Sequence, residues 1–219
     1  MKCNREGDKV VVKVKICGLK RVQDIEIVNN FLPDYIGFVF APSKRQIDLE
    51  TAKHLKCLLH ASIKSVGVFV NEPLESLLRY EEEGIIDRIQ LHGDEDIVYL
   101  KQLKMASKLP IIKAFRIKSG NGLEESLIGN RTLFESELID YVLLDSYHPL
   151  AYGGSGECFN WQLLKEIHRP YFLAGGIGVD NVQETLKYTP YAIDVSSKVE
   201  KDGVKDAYKI KALIEKLRE

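Results

Sequence analysis

A (β/α)8 barrel, an α/β fold with eight parallel strands, is what this sequence predicts, on three observations. Eight short β-branched, apolar runs recur along the 219 residues, at about 27 residues per repeat, a spacing near the short end of that fold's range. The stretches between them place apolar residues three and four apart, as at Leu74, Leu77 and Leu78 or Leu100 and Leu103, the period of a helix with one buried face. Strand one ends in Cys17-Gly18-Leu19-Lys20, not in the GxGxxG turn of an open doubly wound sheet, which would also use fewer units. Strict alternation of strand and helix demands parallel neighbours, because only a crossover connection returns the chain to the same end of the sheet.

The strands follow in order. Val10 to Cys17 alternates, with Val12, Val14 and Ile16 on the face that should meet the helices and Lys13, Lys15 and Cys17 on the face that should meet the lumen. Tyr35 to Phe40 is strand two, and Asp48 caps the helix after it. Lys64 to Val70 is strand three, with Asn71 and Pro73 opening the next helix. Ile86 to His92, Pro110 to Arg116 and Asp140 to Asp145 are strands four to six. Tyr171 to Ala174 precedes a helix start at Asp180, and Tyr191 to Val195 is the last strand. Ile210, Leu213, Ile214 and Leu217 form the apolar stripe of a closing helix. Asn121-Gly122 and Gly153-Gly154-Ser155-Gly156 read as loops inside the repeat, so residues 1–219 form one domain, with residues 1–9 a short N-terminal extension.

Composition narrows the function classes. Hydrophobic residues make up 45% and charged residues 29%, which argues against disorder or a fibrous repeat. Lys and Arg number 31 against 32 Asp and Glu, a net charge of −1, and this balance offers no electrostatic footprint for nucleic acid or a membrane surface. Uncharged apolar runs are far shorter than the roughly 18 residues of a membrane span. The N-terminus lacks the apolar core of an export signal, so a cytoplasmic protein is expected, with Cys3, Cys17, Cys57 and Cys158 as reduced thiols. No CxxC pair or Cys/His ladder is present, and neither metal nor cofactor is expected. The expected partner is a small molecule. No helix face carries an apolar excess that marks an interface, so a monomer is the default, with a homodimer the other possibility.

Functional groups of such a barrel sit at the C-terminal ends of the strands. Those ends carry Cys17, the loop with Arg45, Asn71, His92, Arg116, Asp145, Gly175-Gly176 and Ser196-Ser197. The loops after strands seven and eight are the phosphate-binding corner of the fold. Glycines there let backbone N–H groups approach an anion, and serine hydroxyls add donors; a tight turn with a helix cap is the plainer alternative. Free cysteine is usually core filler. At Cys17, however, Gly18 opens space, and Lys15 lies two residues back on the same face, where an ammonium would lower the thiol pKa. Asp145 ends an otherwise apolar strand, where a carboxyl must find a partner or desolvate, and desolvation favours the protonated acid. A cysteine base and an aspartic acid on opposite sides of a barrel mouth suit a proton-transfer isomerisation. Arg45 can hold a carboxylate bidentately, and His92 is either a lumen donor or a satisfied core histidine.

Nine segments run in order along the chain: Val14-Lys15-Ile16-Cys17-Gly18, Gly37-Phe38-Val39-Phe40 with Ser43-Lys44-Arg45, Val66 to Asn71, and Ile89-Gln90-Leu91-His92-Gly93-Asp94. They continue through Ile112-Lys113-Ala114, Leu143-Leu144-Asp145, Gly153 to Trp161, Leu173-Ala174-Gly175-Gly176, and Asp194-Val195-Ser196-Ser197 with Val199-Glu200. In these segments the chain resembles the phosphoribosylanthranilate isomerases of tryptophan biosynthesis. The resemblance implies a cofactor-free Amadori rearrangement of N-(5′-phosphoribosyl)anthranilate to 1-(o-carboxyphenylamino)-1-deoxyribulose 5-phosphate. It implies Cys17 as the general base at C2′, Asp145 as the general acid at the ring oxygen, Arg45 as the seat of the anthranilate carboxylate, and Gly175, Gly176, Ser196 and Ser197 as the phosphate cradle. Two positions depart: Lys198 stands where the family has glycine, which puts the φ of that loop in question, and Asn160 stands where the family has aspartate, a cap that Asn also serves. A related phosphosugar isomerase or metal-dependent epimerase, or a phosphoribosyl binder that has lost activity, are the alternative readings.

Overall fold

Eight strands close on themselves in sequence order, each parallel to both neighbours: β1 (Lys13–Cys17), β2 (Tyr35–Val39), β3 (Lys64–Phe69), β4 (Arg88–Leu91), β5 (Ile111–Ile117), β6 (Tyr141–Ser146), β7 (Tyr171–Leu173) and β8 (Ala192–Val195). The computed structural model describes residues 12–118, 120, 122–146 and 158–219. The extension 1–9, the expected strand start at Val10, Cys3, Asn121 and the Gly153–Gly156 loop lie outside these residues.

The two-residue period of each strand sorts its side chains between two cores. Val12, Val14 and Ile16 join the large apolar cluster between barrel and helices, as expected. Tyr35, Val66, Ile112, Leu143, Phe172 and Ala192 form the second cluster, inside the barrel. Burying one such large apolar side chain contributes on the order of 1.5–3 kcal/mol, and together they make the rigid frame on which the mouth is mounted.

Helices α1 (Val22–Phe31), α2 (Leu49–Leu58), α3 (Leu74–Glu82) and α4 (Ile97–Ala106) follow the first four strands. Asp48 caps α2 as the sequence predicts, its carboxylate accepting from Thr51 N at 2.8 Å. Asn71 does not open α3: it sits at φ +51°, and its amide oxygen accepts from Asp94 N. The second half of the barrel is less regular than the expected strand–helix repeat. Between β5 and β6 lie two single turns, α5 (Leu123–Ser126) and α6 (Arg131–Phe134), separated by Gly129 at φ +79°, a left-handed conformation that no helix continues through. Before β7 comes a 3₁₀ helix, Trp161–Glu166, capped by Asn160, whose side chain accepts from Gln162 N at 3.1 Å. The helix expected from Asp180 is the short α7 (Val182–Thr185), starting one residue later because Asn181 closes the preceding turn on Gly178 N. After β8 the chain makes a hairpin, β9 (Glu200–Lys201) with β10 (Val204–Lys205), before α8 (Ala207–Arg218). Ile210, Leu213 and Ile214 of α8 are buried, as its apolar stripe predicts. Among the described residues no helix is long and apolar enough to cross a membrane.

Candidate active site

A cavity of about 770 Å3 opens at the C-terminal ends of the strands, and Cys17, Arg45, His92, Asp145, Gly175, Gly176, Ser196 and Ser197 all line it. Most of the strand-end residues singled out from the sequence therefore meet in one place. Asn71 and Arg116 do not; Arg116 pairs with Asp94 at 2.7 Å.

Cys17 is the last residue of β1 and lies in register with Gly37 of β2. A Cβ on Gly37 would stand 2.6 Å from the Cys17 sulfur, so the thiol occupies space that only glycine leaves. Its electrostatics differ from the expectation. Lys15 does lie inside the barrel and its charge does pull the thiol pKa down, but burial is the larger influence and the Asp194 carboxylate adds to it, so the thiol lies above its ordinary value. The reason is cross-strand pairing. Lys15 stands in register with Asp194 of β8, donates to its Oδ2 at 2.7 Å, and is thereby held protonated against its own burial.

Asp145 is 4% exposed on β6. His92 Nε2 stands 3.4 Å from its Oδ2, within electrostatic reach but without a formed hydrogen bond. Gln90 Nε2, one turn of the pleat back on β4, donates to His92 Nδ1 at 3.0 Å, which puts the imidazole proton on Nε2, toward Asp145. His92 is thus not a satisfied core histidine. Gln90 Oε1 and Asp194 Oδ1, which share this cavity wall, and Ser146 Oγ beside Asp145 are likewise buried without partners among the described residues.

Gly175 and Gly176 both take positive φ, +85° and +66°. A Cβ on Gly175 would meet Ser146 Oγ at 2.4 Å and Asp145 Oδ1 at 3.0 Å, so this glycine lets the loop after β7 press against the acid. Ser196 differs from the expectation of two free hydroxyl donors: its Oγ donates to Cys17 O at 3.0 Å, leaving its backbone N–H as a donor for an anion. Lys198 lines the same corner, its stem lying along Gly178. Its φ is not positive, so a side chain at this position costs the loop no backbone strain.

Arg45, in the loop after β2, is already held. Its Nε and Nη2 donate to Glu200 Oε1 and Oε2 at 2.7 and 2.9 Å, a bidentate fork. Lys205 Nζ donates to Glu200 Oε1 at 2.8 Å. Burial would raise the Glu200 carboxyl, but these two cations outweigh it and hold its pKa down at about 2. The pairing of Asp194, Glu200 and Lys205 was not anticipated from the sequence. One signal was there: Asp202-Gly203, both at positive φ, is the two-residue hairpin turn that brings Lys205 opposite Glu200.

Residues 14–216 match the family model for N-(5′-phosphoribosyl)anthranilate (PRA) isomerase. A curated N-(5′-phosphoribosyl)anthranilate isomerase from Endomicrobium trichonymphae is 45% identical over 207 residues, 94% of this chain and 98% of that protein. This chain belongs to the PRA isomerase family. It is an aldose–ketose isomerase of tryptophan biosynthesis. Solved PRA isomerases superpose closely: that of Thermus thermophilus is 34% identical with a TM-score of 0.80, covering 94% of this chain and 98% of its own. Another, solved in complex with reduced 1-(o-carboxyphenylamino)-1-deoxyribulose 5-phosphate, is 30% identical with a TM-score of 0.78, over 94% of this chain and 98% of its own. Membership in the PRA isomerase family leaves the related phosphosugar isomerase and metal-dependent epimerase alternatives without support.

Proposed function

We propose that Cys17 and Asp145 act as base and acid on one phosphoribosyl sugar seated across the mouth. The observation that carries this reading is their joint presence on the wall of a single cavity, from β1 and β6, together with the glycine and serine loops and Arg45. Asp145 gives its proton to the furanose ring oxygen as the C1′–O bond breaks, and the nitrogen lone pair forms the C1′=N bond of a Schiff base. Cys17 then takes the C2′ proton as its thiolate, the form that burial disfavours and the Lys15 and Lys205 ammonium groups favour. The C2′–H electron pair becomes the C1′=C2′ bond and the C=N pair returns to nitrogen, leaving an enolamine; this ketonises as C1′ gains the proton held by Cys17 and the 2′-hydroxyl gives up its own, which returns the Asp145 carboxylate to the acid.

The remaining groups bind and orient. Backbone N–H groups of Gly175, Gly176, Ser196 and Ser197 hold the phosphate, with the Lys198 ammonium beside them. Arg45 takes the anthranilate carboxylate, and His92 Nε2–H is a donor for the sugar beside Asp145. All of these residues come from one chain, so the site needs no second copy, and a monomer and a homodimer would each carry it complete. Substrate turnover is read from the loss of anthranilate fluorescence. Wild type turns over, and Cys17→Ala or Asp145→Asn each lowers kcat by about 10²–10⁴. A wild type that binds the phosphosugar without turnover, or variants as fast as wild type, would overturn the assignment.

A further inference from the structure

Glu200 sits at the start of the β9–β10 hairpin, behind the cavity, and its carboxylate is almost fully enclosed. The hairpin register sets Lys205 directly opposite it, and Lys209 of α8 donates to its backbone carbonyl at 2.7 Å. A guanidinium carries five N–H donors in one plane. Glu200 takes the Nε and Nη2 edge of Arg45, and the next edge, formed by Nη1 and the second Nη2 hydrogen, has no partner among the described residues, while Arg45 itself lines the cavity. The stem has little freedom to re-aim that edge: a Cβ on Gly18 would lie 2.3 Å from Arg45 Cδ, so the side chain runs against bare backbone on the side away from the fork. The charges are unequal. Arg45 and Lys205 share one carboxylate, and the cluster lacks one negative charge.

We infer that Glu200 and Lys205 are positioning residues: Glu200 aims the open edge of Arg45 at the carboxylate on the substrate's aromatic ring, and Lys205 keeps the cluster one positive charge in surplus so that this carboxylate completes it. Together they set the preference for a carboxylated arylamine over one without the carboxyl group. This rests on the reading that Arg45 seats that carboxylate. A fork fixed by Glu200 presents two parallel donors to a second carboxylate end-on, whereas an unheld arginine would offer them only in a fraction of its rotamers. Without Lys205, Arg45 and Glu200 form a net-neutral pair, whose open edge still donates but attracts an anion less strongly.

The test is binding by calorimetry of two probes, reduced 1-(o-carboxyphenylamino)-1-deoxyribulose 5-phosphate and its counterpart lacking the carboxyl group. Wild type is expected to prefer the carboxylated probe on the order of a hundredfold. Glu200→Gln lowers that preference about tenfold and Lys205→Met several-fold, while the probe without the carboxyl binds each variant as it binds wild type. Lys205→Met leaves the Arg45 fork in place and carries the test if Glu200→Gln does not fold. Both probes weakened equally would mean that the cluster only braces the fold, and an unchanged preference in both variants would mean that it does not aim Arg45; either result overturns the inference. Arg45→Gln separates the two levels: if it leaves the preference at the wild-type value, the carboxylate seat itself falls.

Discussion

The two ends of this barrel use polar residues in opposite ways. At the N-terminal end the Tyr191 hydroxyl is a hub, 2.9 Å from Lys13 Nζ, 2.8 Å from the Tyr35 hydroxyl and 3.4 Å from that of Tyr141. Lys13 lies 4.7 Å from the Tyr191 ring centroid, and the Arg88 guanidinium lies 5.1 and 5.3 Å from those of Tyr35 and Tyr141. The polar groups around Tyr191 find one another, as expected of the face that serves stability. At the mouth, Gln90 Oε1, His92 Nε2, Ser146 Oγ and Asp194 Oδ1 are more deeply buried and have no partner among the described residues. A buried polar atom without a partner costs about 1–3 kcal/mol, so this end holds a set of groups the fold alone does not satisfy and the satisfied end must offset. Elsewhere such atoms stand singly, at Glu81, Trp161 and Arg169, and only at the mouth do they gather around one cavity among the described residues.

Substitutions at the two ends should separate rate from stability. The largest effect belongs to the mouth: Cys17→Ala and Asp145→Asn, which cost about 10²–10⁴ in kcat, should leave the urea midpoint at or above that of wild type. A large loss of stability in either would erase the contrast between the ends. Next is the acid limb of stability. The Glu200 pKa is about 2 in the fold against an ordinary 4.5, so its contribution is fully present above pH 4.5 and is lost as pH falls through about 2. Urea titrations across that window should show Glu200→Gln losing less with acid than wild type, by up to about 3 kcal/mol; parallel curves would contradict the clamp.

At the other end Tyr191→Phe removes one hydroxyl with three neighbours and should cost about 1–2 kcal/mol of stability, with kcat and KM unchanged. The smallest effect tests the thiol. Asp194→Asn removes a carboxylate that pushes the Cys17 pKa up and leaves the Lys15 ammonium to pull it down, so the pH profile of Cys17 alkylation, followed by peptide mass spectrometry, should move to lower pH. Movement to higher pH would reverse the roles given to this pair.

Much of this was legible in the residue string. The strand runs, their alternation and the residue at the end of each strand placed Cys17, Asp145, Arg45 and His92 around one mouth before any coordinate was known. Spacing along one strand does not reveal what faces it from another. Lys15 was read as a neighbour of Cys17, but its partner Asp194 lies 179 positions away and is brought alongside only by barrel closure. Arg45 and Glu200 are likewise 155 positions apart. The short turns α5 and α6 carry helix-compatible residues on both sides of Gly129, so the break was invisible to apolar periodicity. The Asp202-Gly203 turn was readable and would have exposed the Glu200–Lys205 pair.

The most direct measurement is a crystal structure of this chain with reduced 1-(o-carboxyphenylamino)-1-deoxyribulose 5-phosphate. It should place the Cys17 sulfur about 3–3.5 Å from C2′ and an Asp145 oxygen within about 2.6–3.2 Å of the oxygen released from the ring, with the phosphate against Gly176 and Ser197. A sugar bound with C2′ out of reach of the sulfur, or with Asp145 facing a different atom, would contradict the account.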